Sequence, residues 1–371
     1  MKLTLVIFSL SGGGAEKALV LLARGLHMRG HQVTVVTANE DGPESHKLDK
    51  DVSRVSFAIQ EQPRGLCGVL QKNIQYQRRL RNAILSTQPD VVISFMHITN
   101  VRVLLALLNV NVPVVVSERV DPAGFHYGFF WRFLRRVLYP RCACVVSVSK
   151  GVDAFFSWLA ESKRAVIYNT APSFPDTGER QNGFIGGGGR RRVVSVGRLV
   201  HQKGFDMLLD AFSRVAGSFR EWDLHILGEG EQRTSLQRLI SRKGLSDRVF
   251  LPGWVGPPTR SLKLADLFVM SSRFEGFPNA LLEAMACGLP VVSFDCRSGP
   301  REIIRDGVDG VLVPPGSTAE LAEVMSRLMG DECLRQRLGE RAREVVERFS
   351  YEKFIDDWER VLNVVVNGSR R

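Results

Sequence analysis

Short apolar runs alternate with amphipathic stretches of helical length along this chain, and the series starts twice. Residues 3–8, 32–37, 91–94 and 112–117 read as strands, with a helical pattern over 16–29 between the first two. Strands joined through helices need long crossovers, so the sheet they build is parallel and covered on both faces. A second series follows at 193–197, 223–227, 249–251, 267–270, 290–293 and 310–313. Between the two, residues 171–192 carry Pro172, Pro175, Gly178, Gly183 and the glycine run 186–189, a composition that neither helix nor strand tolerates. The chain therefore reads as two α/β domains, residues 1–171 and 193–350, with a linker over 172–192. The closing segment 351–366 places Phe354, Ile355, Trp358, Val361 and Leu362 at helical spacing and can pack on either domain. A length of 371 residues agrees, since it exceeds what one hydrophobic core ordinarily serves.

Charge separates the halves further. The chain holds 50 Lys+Arg against 39 Asp+Glu, a net charge of +11. Residues 1–175 contribute 21 against 12, or +9, and residues 176–371 contribute 29 against 27, or +2. A basic surplus of this kind speaks for anionic partners. No nucleic-acid-binding module is recognisable, so nucleic acid is not expected. The run 125–141 is rich in Phe, Trp, Tyr and Arg: Phe129, Phe130, Trp131, Phe133, Leu134 and Leu138 alternate with Arg132, Arg135, Arg136 and Arg141. It fits either an interfacial helix on an anionic membrane surface or a core helix with snorkelling arginines.

The six cysteines, Cys67, Cys142, Cys144, Cys287, Cys296 and Cys333, form no CxxC pair and have no histidine at zinc spacing. Neither a disulfide framework nor a metal knuckle is indicated, and a reducing, cytoplasmic compartment is expected. The apolar N-terminus suits a first strand better than a signal peptide. The longest apolar stretch, 103–116, is interrupted by Asn109, Asn111 and Pro113 and falls short of a membrane span.

The most informative string is Glu275-Gly276-Phe277-Pro278-Asn279-Ala280-Leu281-Leu282-Glu283. Pro278 suits a helix start, because its missing N–H is not needed there, so a helix should begin near residues 277–279. The first-turn N–H groups and the helix dipole make an anion site suited to a diphosphate. Glu275 and Glu283 then flank that site and can bind sugar hydroxyls, whereas isolated glutamates here would be a dipole partner and a surface residue. Upstream, a strand ending at Gly197 delivers Arg198, with Lys203 five residues on, to the carboxyl edge of a parallel sheet. Two fixed cations there can stabilise the charge that grows on a departing diphosphate without a metal ion.

These strings resemble the signatures of the retaining glycosyltransferases of family 4: the E-x7-E element at 275–283, a G-R-L-x-x-x-K-G element at 197–204, and a closing G-x-x-E-x-x-x-D-G-x-x-G stretch over 299–310. The likeness is sharp over 193–315 and thinner before it. It implies the GT-B fold, two facing Rossmann-like domains with an interdomain cleft. It further implies a UDP-sugar donor bound by the C-terminal domain through Arg198, Lys203, Glu275, Glu283 and the helix start, with no metal or other cofactor. Gly228, with the loop around Trp254, would meet the nucleotide. The loop with Gly13 and Gly14 resembles the family's G-G-A-E element beside the donor; the alternative is a tight turn with no ligand. Ser117-Glu118-Arg119 occupies a place where many members carry histidine, and resembles a variant found among cell-surface polysaccharide enzymes. Glu118 can bind sugar hydroxyls or pair with Arg119, and His97 stands at another strand end. These three are the acceptor-side candidates, the acceptor being a lipid-linked or other saccharide at the cytoplasmic face of the inner membrane. The Asp49-Lys50-Asp51 triplet reads as a solvated loop. Two other readings share the architecture: a nucleotide-sugar epimerase and a non-catalytic scaffold.

Overall fold

The computed structural model describes residues 1–38, 47–57, 65–125, 127–173, 189–256 and 258–369. Most of the expected linker, residues 174–188, and His126 of the aromatic-basic run lie outside the described residues. In chain order the first half contains β1 (Lys2–Ile7), α1 (Gly14–Met28), β2 (Gln32–Thr37), β3 (Ser53–Ser56), α2 (Gly65–Ser86), β4 (Val91–Phe95), α3 (His97–Ala106), β5 (Val114–Glu118), α4 (Phe129–Leu138), β6 (Cys144–Ser147), α5 (Lys150–Ala154) and β7 (Arg164–Val166). The second half contains β8 (Arg191–Val196), α6 (Phe205–Val215), β9 (Trp222–Leu227), α7 (Arg233–Arg242), β10 (Val249–Gly253), α8 (Thr259–Leu262), β11 (Leu267–Met270), α9 (Asn279–Ala286), β12 (Val291–Phe294), α10 (Pro300–Ile303), β13 (Val311–Val313), α11 (Thr318–Gly330), α12 (Glu332–Ala342), α13 (Val345–Arg348) and α14 (Tyr351–Ser369).

The chain divides into two compact units, Met1–Asn169 with Glu352–Arg371, and Thr170–Tyr351. The first holds a seven-stranded sheet in the order β3-β2-β1-β4-β5-β6-β7, the second a six-stranded sheet in the order β10-β9-β8-β11-β12-β13. Every strand pairing is parallel. Central strands such as β4 (VVISF), β5 (VVVSE) and β9 (WDLHIL) are buried along their whole length, as sheets covered on both faces require. In each sheet the strand order reverses beside the first strand, between β1 and β4 and between β8 and β11. Loops leave such a switch point in opposite directions and open a crevice at the carboxyl ends of the strands. Short β3, β6 and β7 were not anticipated from sequence; β3 and β7 are edge segments whose few apolar residues give no run to detect.

In the second unit, Phe205, Leu208 and Phe212 of α6 and Leu321, Met325 and Leu328 of α11 belong to one buried cluster against the sheet. In the first, the C-terminal helix α14 completes the core: Phe354, Ile355, Trp358 and Leu362 are buried, and the Trp358 ring stacks on Phe95 of β4 at 6.1 Å between centroids. Arg29 bonds Asp356 at 2.6 Å and Glu359 at 3.1 Å at the rim of this contact. With α14 counted in, the first unit holds 25 Lys+Arg and 16 Asp+Glu, still +9. Trp358→Ala should cost about 3–5 kcal/mol in urea unfolding, whereas Val364→Ala on the exposed face should cost almost nothing; equal midpoints for the two variants would refute the packing role of α14.

Candidate active site

In the second unit, β8 and β11 bring the motif residues to the switch point. After β8 the chain passes Arg198, which is exposed, and a short turn over His201–Lys203 leads to Gly204 and α6. That turn is fastened to the segment after β11. Ser271 Oγ donates to the Lys203 carbonyl at 3.0 Å, Gln202 Nε2 to the Phe274 carbonyl at 2.9 Å, and Arg273 Nη1 to the His201 carbonyl at 2.8 Å. Arg273 also forks onto Asp206, whose carboxyl it holds below the usual range. The approach is close because residue 204 is glycine: its φ is +63°, and a Cβ there would stand 2.1 Å from the Ser271 carbonyl oxygen.

The result is a direct contact between two motifs 72 residues apart. Lys203 Nζ donates to Glu275 Oε1 at 2.6 Å, and Ser272 Oγ donates to the same oxygen at 2.7 Å. Ser298 Oγ donates to the Glu275 main-chain carbonyl. Glu275 is buried and Lys203 partly so, which makes this pair far less screened than a surface ion pair. Neither supporting serine was singled out from sequence; their hydroxyls become recognisable only once the loops meet.

Gly276 and Phe277 follow, both buried, with the Phe277 ring edge-on to Phe349 at 5.3 Å. Pro278 takes the N-cap position with φ −74° and ψ 108°, one residue earlier than a first-turn proline, and α9 begins at Asn279. No side chain caps the helix, so its first-turn N–H groups, Ala280 and Leu281 among them, stay candidates for the expected anion site. Glu283 lies one turn in and is buried, not on an exposed helix face. Gly228 leaves β9 with φ +144° and packs so tightly that a Cβ would lie 2.0 Å from the Gly197 carbonyl oxygen. Trp254 is 70% exposed. Burial and, second, the Glu275 charge push the Cys296 thiol up to about 12, so it is no nucleophile at neutral pH.

In the first unit, Gly13 and Gly14 are exposed at the start of α1 after β1, where Gly13 is the N-cap. A Cβ on Gly13 would stand 2.4 Å from a Glu16 carboxylate oxygen. At the ends of β4 and β5, His97 and Glu118 are brought together, Nδ1 to Oε1 at 3.7 Å. Arg119 does not pair with Glu118. Its guanidinium donates to Asn169 Oδ1 and lies 5.6 Å from the Phe95 ring centroid, and burial pulls it down to about 9, still charged at neutral pH. Glu118 is bonded instead by Tyr139, from the end of the aromatic-basic run, and by Asn100, which lies outside any motif recognised in the sequence.

The aromatic-basic run is split by its helix. Phe129, Phe130, Phe133 and Val137 of α4 are exposed, and so are Arg132, Arg136 and Arg141. Arg135 is buried, 4.6 Å from the Phe155 ring centroid. Asp49 and Asp51 are exposed, Asp49 lying 3.3 Å from Arg24. Among the described residues no group of three or more His, Cys, Asp or Glu is placed to hold a metal ion, and no helix is long and apolar enough to cross a membrane.

The family model for glycosyltransferase family 4 matches residues 12–171, and the model for glycosyl transferases group 1 matches residues 183–345. The chain belongs to the family 4 glycosyltransferases. Over its whole length it is similar to a Campylobacter jejuni enzyme named GalNAc-alpha-(1->4)-GalNAc-alpha-(1->3)-diNAcBac-PP-undecaprenol alpha-1,4-N-acetyl-D-galactosaminyltransferase, 26% identical over 99% of this chain and 100% of that one. An exopolysaccharide phosphotransferase of Streptomyces coelicolor is 38% identical, but over 57% of this chain and 22% of that longer protein. Among solved structures, sucrose-phosphate synthase from Thermosynechococcus elongatus superposes with a TM-score of 0.83 at 17% identity over 99% of both chains. Anabaena HepE in complex with UDP and glucose superposes with a TM-score of 0.81 at 23% identity, over 98% of this chain and 99% of that one. The GT-B architecture of two Rossmann-like domains and transferase activity follow, and the epimerase and scaffold readings give way to them.

Gly204→Ala should lower stability by about 1–2 kcal/mol for the left-handed backbone alone, with the clash against Ser271 in addition. An unchanged thermal midpoint would show that the 201–204 turn is not fastened to the 271–275 segment.

Proposed function

We propose that this chain is a retaining glycosyltransferase that moves a hexose or N-acetylhexosamine from a UDP-sugar to a lipid-linked saccharide in bacterial cell-surface polysaccharide synthesis. The observation that carries the reading is the buried Lys203–Glu275 pair beside the uncapped N-terminus of α9, with Arg198 at the same strand edge. Cation, helix dipole and carboxylate suit a ligand that is a diphosphate at one end and a polyhydroxylated ring at the other. The Campylobacter relative is named for a saccharide acceptor linked to undecaprenol through PP, and the HepE complexes hold UDP and glucose, which supports the choice of donor and acceptor.

In this reading the C1–O bond of the donor breaks with its electron pair leaving on the diphosphate. Arg198, Lys203 and the α9 N-terminus stabilise that charge without a metal ion. Glu275 and Glu283 orient the sugar hydroxyls. The acceptor oxygen attacks the face the diphosphate leaves, and its proton passes to the departing phosphate oxygen. Arg198→Ala and Lys203→Ala should each lower turnover at saturating donor about 100-fold while circular dichroism stays native. Near wild-type turnover in both variants would remove the diphosphate assignment. EDTA should leave the rate unchanged, and a loss that magnesium restores would overturn the metal-free mechanism.

The exposed stripe of Phe129, Phe130, Phe133 and Val137, flanked by Arg132, Arg136 and Arg141 on the more basic unit, favours a second assignment. We propose that α4 lies on an anionic membrane at its cytoplasmic face, rings in the headgroup boundary and arginines on lipid phosphates. A variant with Phe129 and Phe133 changed to Ser and Arg132 and Arg136 changed to Gln should bind phosphatidylglycerol vesicles at least about tenfold more weakly. Arg135 is left in place because it packs inside the fold. Unaltered vesicle binding would reject the assignment.

A further inference from the structure

The carboxyl end of the N-terminal sheet keeps a polar cluster that packing alone does not call for. Glu118 is buried at the end of β5, and its hydrogen-bond partners are neutral: the Tyr139 hydroxyl donates to Oε1, and Asn100 Nδ2 lies at 3.5 Å. No lysine or arginine forms an ion pair with it among the described residues. The supports are themselves tied down. Asn100 Nδ2 also donates to the Ser117 carbonyl at 3.1 Å, and Ser94 Oγ donates to Asn100 Oδ1 at 2.8 Å. Tyr139 is fully buried and stacks on Phe156 at 5.8 Å. Burial first, and the neighbouring Glu118 charge second, push its phenol well above the usual range, so it stays a neutral donor.

His97 is the unexplained member. It is 1% exposed, its Nδ1 stands 3.7 Å from Glu118 Oε1, too far for a hydrogen bond, and neither ring nitrogen has a partner. The placement is held against backbone strain, because the preceding Met96 has φ +77°, a left-handed conformation that a side chain disfavours. The imidazole is covered by the half-buried Tyr127 ring, 4.1 Å away between centroids and tilted by 49°. Two unpartnered imidazole nitrogens beside an anionic acceptor and under an aromatic ring suit a pyranose. Along its edge a pyranose presents hydroxyls that both donate and accept, and its C–H face packs on aromatic rings.

We propose that His97 and Glu118 bind adjacent hydroxyls of the saccharide acceptor with Tyr127 as the aromatic platform, and that Tyr139 and Asn100 are positioning residues that hold Glu118 for this contact. The identity of the sugar as acceptor rests on the glycosyltransferase reading above; the hydroxyl-binding site rests on the cluster itself. In use, Tyr127 moves off the imidazole and packs on the sugar ring that takes its place.

The test is saturation-transfer NMR of the full chain with a set of methyl α-glycosides, methyl α-N-acetylgalactosaminide among them, in the absence of nucleotide. Titration of the strongest binder follows, with UDP affinity measured separately by calorimetry. Glu118→Gln and Tyr139→Phe, which conserve volume, should weaken glycoside binding about tenfold, and His97→Ala should abolish it. Tyr127→Phe should bind like wild type and Tyr127→Ala should not. UDP affinity should stay constant throughout. A wild-type chain that binds UDP but no glycoside overturns the inference. So does glycoside affinity unchanged in both His97→Ala and Tyr139→Phe, and so does UDP affinity that falls in step with glycoside affinity. Absence of UDP binding in the wild type instead removes the donor reading, and glycoside binding that still responds to these variants would then support the hydroxyl site alone.

Discussion

Parallel pairing is the constraint on which everything else in this protein depends. A parallel sheet cannot be closed by hairpins, so each strand is followed by a crossover, and helices come to cover both faces. Burial on both faces makes the central strands near-continuous runs of Val, Ile, Leu and Phe. The same directionality puts every strand-to-helix loop of a domain at one edge. Chemistry therefore gathers at that edge without any need for the residues concerned to be near each other in sequence. Lys203 meets Glu275, and His97 meets Glu118, because their strands β8 and β11, or β4 and β5, are neighbours that point the same way.

Within that frame the two units use polar groups differently. In the second unit the turn before α6 is bolted to the segment after β11 by main-chain carbonyls, and glycine at 204 permits the approach. The buried carboxylate there has a cation and a hydroxyl as donors. In the first unit a carboxylate is buried with neutral donors and an imidazole is left without any. The first arrangement is suited to an anion with fixed charge, the second to hydroxyl groups. The charge surplus also stays with the first unit after the C-terminal segment is assigned to it, since residues 352–371 hold four acidic and four basic residues.

Strand and helix positions were legible where burial leaves a long apolar run, as at β4, β9 and β11, and were lost where an edge strand such as β3 or β7 has almost none. The C-terminal helix shows the same divide. Its amphipathic spacing identified it as a helix, but Phe354, Trp358 and Leu362 fit an apolar surface of either domain equally well on paper. The neighbouring Phe95 ring and the Arg29 contacts decide the matter, and those are brought into reach only by the fold.

The sequence by itself determined the architecture and the candidate donor site, because local spacing carries both: alternating elements specify parallel sheets, and Gly197 to Lys203 and Glu275 to Glu283 are contiguous strings. Tertiary structure alone decided what surrounds them. Ser272, Ser298 and Asn100 are ordinary residues in sequence, given meaning by contact, and Tyr127 and Tyr139 of the aromatic-basic run gain their place beside His97 and Glu118 only in the fold. Glu118 was left between binding sugar and pairing with Arg119; the fold sends Arg119 to Asn169 and supplies Tyr139 in its place. The run at 125–141 was left between membrane and core, and the fold buries Arg135 while leaving Phe129, Phe130 and Phe133 in solvent. Apolar residues at helical spacing say that a helix has two faces, and only the neighbouring elements say which face is covered.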